Sequence, residues 1–221
     1  MPKAVIFDVD GTLIDTVDLH AAAWVETFRR YGREVSHDEV RGQIGKGGDQ
    51  LMPVFLPADL IERQGEEIEA FRKELFKRDY LPRARPFPGV RPLFERIRAA
   101  GQHIVLASSG KADEVEHYKK LADIADLIDD ATSSDDAERS KPYPDIFQAA
   151  LGRIAPIGPE DAVVVGDTPY DAEAAGKAGL RTVGVLCGGF PERDLRQAGC
   201  MAIYRDPEDL LRNYERSPLA S

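Results

Sequence analysis

The sequence predicts an α/β fold, in which a parallel β-sheet carries helices on both faces and an all-helical insert interrupts the chain. Three observations support this prediction. Short β-forming runs alternate with helical patterns over most of the 221 residues, which is typical of a parallel sheet. The first β-forming run is followed by residues 16–85, which have helical patterns and no strand signal. Proline-rich residues 82–89 then precede the return of the alternation.

Six runs are predicted strands, and the third and sixth have the weakest signals. They are Ala4–Phe7, His103–Ser108, Leu127–Thr132, Ala162–Gly166, Arg181–Leu186 and Met201–Tyr204. The helices predicted between them are Val90–Ala100, Lys111–Ala122, Pro144–Leu151 and Ala172–Ala178. Gly101 and Gly179 follow the first and last of these helices, where glycine commonly ends a helix. The tail after Asn213 is expected to fray.

The insert is expected to form helices over Val17–Tyr31, from Ser36–Val40 onward and over Leu60–Arg78. Asp15 or Thr16 is the expected N-cap of the first. Hinges are expected near residues 13–16 and 82–89. The predicted division is therefore a sheet domain of residues 1–15 and 86–221 and a helical domain of residues 16–85, which has roughly seventy residues, the size of a small domain.

The composition narrows the possible functions. Hydrophobic residues make up 43% and charged residues 31% of the chain, as in soluble globular proteins. A formal net charge of −10 argues against nucleic-acid binding. No run approaches the ~20 apolar residues of a membrane span, and no signal peptide is seen. Cys187 and Cys200 lack the spacing of a disulfide framework or a metal site, which predicts free thiols and a cytoplasmic location.

Acidic residues follow two of the predicted strands. Asp8 and Asp10 come directly after the first, and Asp167 and Asp171 follow the fourth. Because ligands of open α/β sheets bind at the carboxyl ends of the strands, these side chains are expected to meet. Four clustered carboxylates need a cation, since a pair ~4 Å apart costs about 4 kcal/mol at an effective dielectric near 20. Oxygen ligands favour a hard ion such as Mg²⁺. The alternative is that each acidic stretch is an ordinary polar turn.

Two further residues suit the chemistry of phosphate. Ser108 ends the second strand before small residues at a helix start, a setting that binds anions but also serves as a simple turn and N-cap. Lys141, in SKPYP, would be a solvated lysine if taken alone. A metal, a lysine and a serine around a carboxylate nucleophile together indicate phosphoryl transfer.

With these motifs in order, the sequence resembles the haloacid dehalogenase superfamily over nearly its whole length. The matching segments are DVDGT at 8–12, Ser108 after Leu-Ala, Lys141 before PYP and GDTPYD at 166–171. The helical insert looks like the cap of the phosphoglycolate phosphatase and β-phosphoglucomutase-like branch. The resemblance implies a Rossmann-like core with an inserted helical cap domain.

The resemblance also implies roles for the acidic residues. Asp8 would be the nucleophile that forms an aspartyl-phosphate, and Asp10 the general acid and then the general base. Mg²⁺ would be held by Asp8, the backbone carbonyl of Asp10 and Asp167, with Asp171 in or just behind the coordination shell. The superfamily's dehalogenases lack an aspartate at the position of Asp10, so its presence favours phosphate ester chemistry.

The phosphoryl group would be bound, on the same resemblance, by Ser108 and Lys141, with Ser109 and Gly110 completing the turn. Gly-Asp-Thr in the fourth motif resembles the hydrolases, whereas mutases of this branch usually have Glu-Asp-Ser. The expected function is an Mg²⁺-dependent phosphatase acting on a small phosphorylated metabolite, either a sugar phosphate or a phosphoglycolate-like ester. A sugar-phosphate mutase is the alternative, and a non-enzymatic phosphate-binding module is a third possibility.

Three residues of the insert are candidate substrate contacts. His20 on the first helix and Lys73 on the last resemble cap positions that face the active site in this branch. Lys46 lies in GQIGKGGDQL, which resembles the substrate-specificity loop of the cap and does not match a P-loop. The alternatives are a packed histidine, a solvated lysine and a flexible turn. The expected partner is a small phosphorylated metabolite rather than a nucleic acid or a membrane, with the chain a monomer or small homo-oligomer.

Overall fold

The computed structural model describes residues 1–221 and confirms the predicted fold class. Six parallel strands form one sheet in the order β5-β4-β1-β6-β7-β8, and two short antiparallel strands pair separately. The strands of the large sheet are β1 (Ala4–Phe7), β4 (His103–Ala107), β5 (Asp130–Thr132), β6 (Ala162–Gly166), β7 (Arg181–Val185) and β8 (Ala202–Tyr204), and the small pair is β2 (Ile14–Asp15) with β3 (Arg85–Pro86).

Ten α-helices surround the sheet or lie within the insert. Those of the insert are α1 (Val17–Arg30), α2 (His37–Arg41), α3 (Gly48–Phe55) and α4 (Ala58–Leu75), and a π-helical turn, Phe76–Tyr80, follows α4. Those around the sheet are α5 (Val90–Ala99), α6 (Ala112–Leu121), α7 (Asp145–Arg153), α8 (Pro169–Lys177), α9 (Glu192–Gln197) and α10 (Pro207–Arg212).

Strand β1 lies in the middle of the sheet, and its side chains divide between two cores. Val5 and Phe7 pack on the face covered by α5, α6 and α10, whereas Ala4 and Ile6 pack on the face covered by α7 and α8. All four residues are fully buried, as expected for a parallel strand covered on both faces. This arrangement places the carboxyl end of β1, directly before Asp8, at the centre of the sheet edge.

The helices of the insert have a hydrophobic cluster of their own. Trp24 and Phe28 of α1 pack there with Val40, Leu51 and Ile68 from the other three helices. The β2–β3 pair joins the two chain crossings, with Ile14 opposite Pro86. The segments expected to be hinges are therefore held side by side by a two-strand ladder that the sequence did not predict.

Two local expectations need correction. Thr16 occupies the N-cap position of α1 but makes no capping hydrogen bond; its hydroxyl instead donates to Oδ1 of Asp10 at 2.7 Å. The tail after Asn213 does not fray, because Tyr214 and Leu219 are buried in the main core. The Gln102 side chain also donates to the Leu219 carbonyl at 2.9 Å.

Other differences concern short elements. The third predicted strand is reduced to Asp130–Thr132, and α9 and α10, each of six residues, were not predicted. Cys187 and Cys200 are both free, as expected. None of the helices combines the length and the apolar character needed to cross a membrane.

Candidate active site

The loop after β1 brings carboxylates from two strands together. Asp8 follows β1 and Asp167 follows β6, and these two strands are neighbours in the sheet. Gly11 turns the loop with φ of +86°, and a Cβ on it would lie 2.4 Å from Oδ2 of Asp167. A Cβ on Gly188, after β7, would lie 1.6 Å from the same oxygen. Only glycine at these two positions lets the backbone approach Asp167 so closely.

Three buried carboxylates form the centre of the site. Ligand oxygens of Asp8, Asp167 and Asp171 all lie within 4.8 Å of one another. The hydroxyl of Thr12 lies 3.0 Å from Oδ2 of Asp8 and 2.9 Å from Oδ1 of Asp167, so it links two of them. Thr12 was not predicted as a site residue, although it completes the sequence DVDGT.

Lys141 supplies the positive charge of this cluster. Its side chain is fully buried, and its Nζ donates to Oδ1 of Asp8 at 2.5 Å and to the Ala107 carbonyl at 3.2 Å. The same nitrogen lies 2.7 Å from Oδ1 of Asp171. Burial alone would lower the pKa of Lys141, but the charges of Asp171 and Asp8 outweigh burial and raise it. Lys141 is therefore a fixed cation.

One lysine does not neutralise three carboxylates, and the pKa values of Asp8 and Asp167 reflect the excess negative charge. Burial, with the charges of Asp171 and Asp10, raises the pKa of Asp8 to about 7 against the opposing effect of Lys141. Burial and the charges of Asp8 and Asp171 raise the pKa of Asp167 well above its usual range. Oδ2 of Asp167 is also buried with no hydrogen-bond partner. These groups fit a bound hard cation, whose charge would satisfy that oxygen and favour the ionised carboxylates.

Asp10 faces away from this cluster. Its Oδ1 accepts from Thr16 at 2.7 Å and lies 3.0 Å from Nε2 of His20, both in or next to α1. Burial would raise the pKa of Asp10, but the charge and hydrogen bond of His20 and the hydrogen bond of Thr16 outweigh it and lower the pKa. The Asp10 side chain is thus held apart from the carboxylates of Asp8, Asp167 and Asp171.

The turn after β4 contains the serines expected to bind phosphate. Ser108 is fully buried, and its Oγ accepts from the backbone N–H of Gly110 at 2.9 Å. Ser109 and Gly110 line a cavity between the sheet edge and the insert, and the Ser109 hydroxyl donates to the Gly45 carbonyl at 3.4 Å. The structure therefore places Ser109 and Gly110 on the cavity wall and Ser108 behind it.

The same cavity, of about 310 Å³, brings together the predicted residues of the insert. His20, Lys46 and Lys73 line it along with Asp8 and Asp10. The ring of His20 is buried and stacks on Phe76 at 4.0 Å between centroids, which fixes its orientation. Lysines 46 and 73 come from the α2–α3 loop and from α4.

Several cavity residues were not singled out by the sequence interpretation. Glu69 and Glu66 of α4 line the cavity, as does Glu114 of α6, which is buried. The available signal was spacing, because Glu66, Glu69 and Lys73 are three and four residues apart and so share one face of a helix. That spacing does not tell which face of a charged helix turns toward a site.

Comparisons with known proteins identify the family of the chain. A family model described as haloacid dehalogenase-like hydrolase matches residues 5–185. The chain is 30% identical over 213 residues to a phosphorylated carbohydrates phosphatase of Thermotoga maritima, covering 95% of this chain and 96% of that protein. It is also 30% identical over 206 residues to a phosphoglycolate phosphatase of Nitrosospira multiformis, covering 91% and 90%.

Two solved structures illustrate the structural similarity. A hydrolase from Pseudomonas syringae superposes with a TM-score of 0.87 at 28% identity and covers 96% of this chain and 98% of its own. A putative beta-phosphoglucomutase from Thermotoga maritima gives a TM-score of 0.71 at 28% identity, with coverages of 97% and 99%.

Proposed function

Since the chain belongs to the haloacid dehalogenase-like hydrolase family, we propose that it is a Mg²⁺-dependent phosphatase that hydrolyses a small phosphorylated metabolite through an aspartyl-phosphate at Asp8. The observation that carries the proposal is that Asp8 and Asp10 line one cavity in two different electrostatic settings. Asp8 sits among carboxylates and Lys141, whereas Asp10 is paired with His20. Two carboxylates in separate settings suit a nucleophile and a proton-transfer group.

The proposed metal ligands are Asp8, the backbone carbonyl of Asp10, Asp167 and Asp171. Their support is the oxygen-only donor set, the unpartnered Oδ2 of Asp167 and the raised pKa values of Asp8 and Asp167. When bound, Mg²⁺ would neutralise negative charge on the phosphate and on the carboxylates around it. The residues of the chain account for the remaining steps.

In the first step a carboxylate oxygen of Asp8 forms a bond to phosphorus, and the bond from phosphorus to the ester oxygen breaks. Because His20 and Thr16 lower the pKa of Asp10, the carboxyl would take up a proton only once the negative charge of the substrate enters the cavity, and it would then donate that proton to the leaving oxygen through Oδ2. In the second step the oxygen of a water molecule attacks the phosphorus, and Asp10 takes a proton from that water. Phosphate is released and Asp8 is regenerated.

We assign the binding of the transferring phosphoryl group to the turn of Ser108, Ser109 and Gly110 and to Lys141. Lys141 is the one buried ammonium group beside Asp8, so it would offset charge as the phosphoryl group moves. The backbone of Ser109 and Gly110 faces the cavity at the start of α6. Ser108, which lies behind the cavity wall, would act by holding this turn in place through its bond from the Gly110 N–H.

Residues 16–85 are proposed to act as a cap over this site, contributing His20, Lys46 and Lys73. The support is a cavity lined from both sides, by Asp8 and Ser109 of the sheet edge and by residues of α1 and α4. A cap that encloses the reactants excludes bulk water during phosphoryl transfer. The free cysteines further lead us to propose a reducing, cytoplasmic setting.

The test is release of inorganic phosphate from a panel of phosphorylated metabolites. We expect turnover that is lost with a chelator and in Asp8→Asn, because the variant lacks the nucleophilic carboxylate. Asp15→Asn, which changes an exposed aspartate close to the same loop, should retain activity. Full turnover by Asp8→Asn would contradict the assignment of the nucleophile.

A sugar-phosphate mutase is the second candidate, favoured by the structural similarity to the putative beta-phosphoglucomutase. In that reaction the phosphoryl group on Asp8 would pass to another sugar hydroxyl instead of to water. Following a hexose phosphate by NMR separates the two reactions. Exchange between isomers faster than phosphate release would support the mutase, and phosphate release without exchange would support the phosphatase.

A further inference from the structure

The wall of the cavity formed by α4 carries charges of both signs. Glu66, Glu69, Arg72 and Lys73 all line the cavity from this helix. The hydrophobic members of the whole lining are only Trp24, Ile44 and Ala70. A leaving group held here therefore meets mainly polar and charged side chains, and the balance of unpaired charge determines which leaving groups fit.

Most cations of the cavity already have carboxylate partners. Lys73 lies 3.6 Å from Asp113, and Lys111 lies 3.0 Å from Asp135. Arg72 lies 4.0 Å from the buried Glu114 and above the ring of Trp24. These partners reduce the positive charge that Lys73 and Lys111 offer to a substrate, whereas Arg72 keeps a buried Nε with no hydrogen-bond partner.

The carboxylates of α4 that face the cavity lack such partners. The ion pairs of this helix join Asp59 with Arg63, Arg72 with Glu114 and Lys73 with Asp113, and none includes Glu66 or Glu69. Glu69 is partly buried, whereas Glu66 is exposed. Because water screens a partly buried charge less, Glu69 contributes more than Glu66 to the negative charge that a substrate meets on this wall.

The carboxyl group of Glu69 lies against the glycine loop opposite. A Cβ on Gly48 would lie 3.2 Å from Cδ of Glu69, so the carboxyl group rests against the backbone at the start of α3. The glycine leaves room for this carboxylate between the loop and α4. No hydrogen bond within the protein uses it, and its oxygens are available to a ligand.

Lys46 is the one cation of the lining with no carboxylate within ion-pair distance. Its Nζ donates to the Gln43 side chain at 2.6 Å and lies 4.6 Å from the centre of the Tyr170 ring. Burial lowers its pKa, but the side chain remains a single positive charge near neutral pH. Lys46 alone does not balance Glu69 and Glu66.

We propose that Glu69 is a specificity-determining residue that selects phosphate esters with an uncharged, hydroxyl-rich leaving group and rejects those with a second anionic group. A hydroxyl donates to the free carboxylate, whereas a carboxylate or second phosphate is repelled by it. The inference rests on the proposed phosphatase function and narrows its substrates to esters of polyols and uncharged sugars. Phosphoglycolate and pyrophosphate are then poor substrates.

The test compares kcat/KM for a hexitol 6-phosphate, phosphoglycolate and pyrophosphate in the wild type and in Glu69→Gln. We expect the wild type to prefer the hexitol ester. Glu69→Gln should shift the ratio toward phosphoglycolate about tenfold, equivalent to about 1.4 kcal/mol. Glu69→Lys should shift it further in the same direction, since it replaces repulsion by attraction.

Two controls make the result specific. Glu62→Gln removes an exposed charge from the same helix outside the cavity and should leave the ratio unchanged. Hydrolysis of p-nitrophenyl phosphate reports the phosphatase reaction itself. If Glu69→Gln leaves the ratio of kcat/KM values unchanged while p-nitrophenyl phosphate is hydrolysed normally, the role of Glu69 is overturned and the proposed phosphatase function is not. A wild type that hydrolyses none of the four compounds would instead overturn the proposed function.

Discussion

At the scale of the residue, Thr12 connects the proposed nucleophile, Asp8, to Asp167 of the proposed metal site. Its one hydroxyl proton lies between Oδ2 of Asp8 and Oδ1 of Asp167. A hydrogen bond to a charged group contributes about 1.5–3 kcal/mol, so we expect Thr12→Val to raise the Mg²⁺ concentration for half-maximal activity about tenfold or more. Thr12→Ser keeps the hydroxyl and should remain close to the wild type. Equal Mg²⁺ dependence in the valine and serine variants would exclude this role.

Thr16 allows a role in helix capping to be distinguished from a role in catalysis. It stands at the N-cap of α1 without a capping bond and donates to Asp10 instead. We therefore expect Thr16→Val, which is nearly isosteric, to lower kcat about tenfold, since a bond to a charged group is lost. Thermal unfolding should change little. The opposite pattern, a loss of stability of about 1 kcal/mol with unchanged kcat, would show that Thr16 acts as a cap.

The sequence could assign chemistry to residues that follow strands, because the ends of parallel strands meet at one edge. Asp8, Asp167 and Lys141 were expected together for this reason or by resemblance, and the structure places them together. Thr16 and Glu69 escaped because their roles depend on which neighbour a side chain turns toward. The local sequence predicts that a threonine before a helix is an N-cap. Only the tertiary fold shows that the Thr16 hydroxyl reaches Asp10 instead.

At the scale of the element, the C-terminal segment belongs to the core. Leu219 is fully buried, and Gln102 accepts from the Tyr214 hydroxyl while donating to the Leu219 carbonyl. We expect Leu219→Ala to lower the free energy of unfolding by about 2–3 kcal/mol, in the range of buried leucine truncations. Urea denaturation measures the change, and Ser221→Ala, at the exposed terminus, is the control. A change below 0.5 kcal/mol would mean that the segment is detached in solution.

The strands could be predicted as short apolar runs bounded by turns, as at β6. The longer helices could be predicted from the helical spacing of their apolar residues. Helices α9 and α10 have six residues each, too few to establish a period. The β2–β3 pair has two residues in each strand, and its partners are far apart in sequence. The burial of the tail was not predicted because its few apolar residues pack against elements that are distant in sequence, such as α5 and β4.

At the scale of the whole molecule, hydrogen bonds join the insert and the sheet domain next to the proposed metal site. Arg41 of α2 donates to the Gly188 carbonyl at 2.9 Å, and Gly188 is the residue that packs on Asp167. Tyr170, between Asp167 and Asp171 in sequence, donates to the Gly42 carbonyl at 2.6 Å. The end of α2 therefore contacts the two loops that position the carboxylates. We therefore expect closure of the proposed cap to be coupled through these bonds to the geometry of the proposed metal site.

Tyr170→Phe tests this coupling, because it removes only the hydroxyl and keeps the ring beside Lys46. A neutral hydrogen bond contributes about 0.5–1.5 kcal/mol, so we expect kcat/KM for the preferred metabolite to fall roughly two- to tenfold. Hydrolysis of p-nitrophenyl phosphate, which reaches less of the cap, should fall less. Tyr143→Phe, on a half-buried aromatic outside the cavity, should change neither. If both substrates lose activity equally in Tyr170→Phe, the hydroxyl acts on the carboxylate loop itself, and the contact with the insert does not gate the reaction.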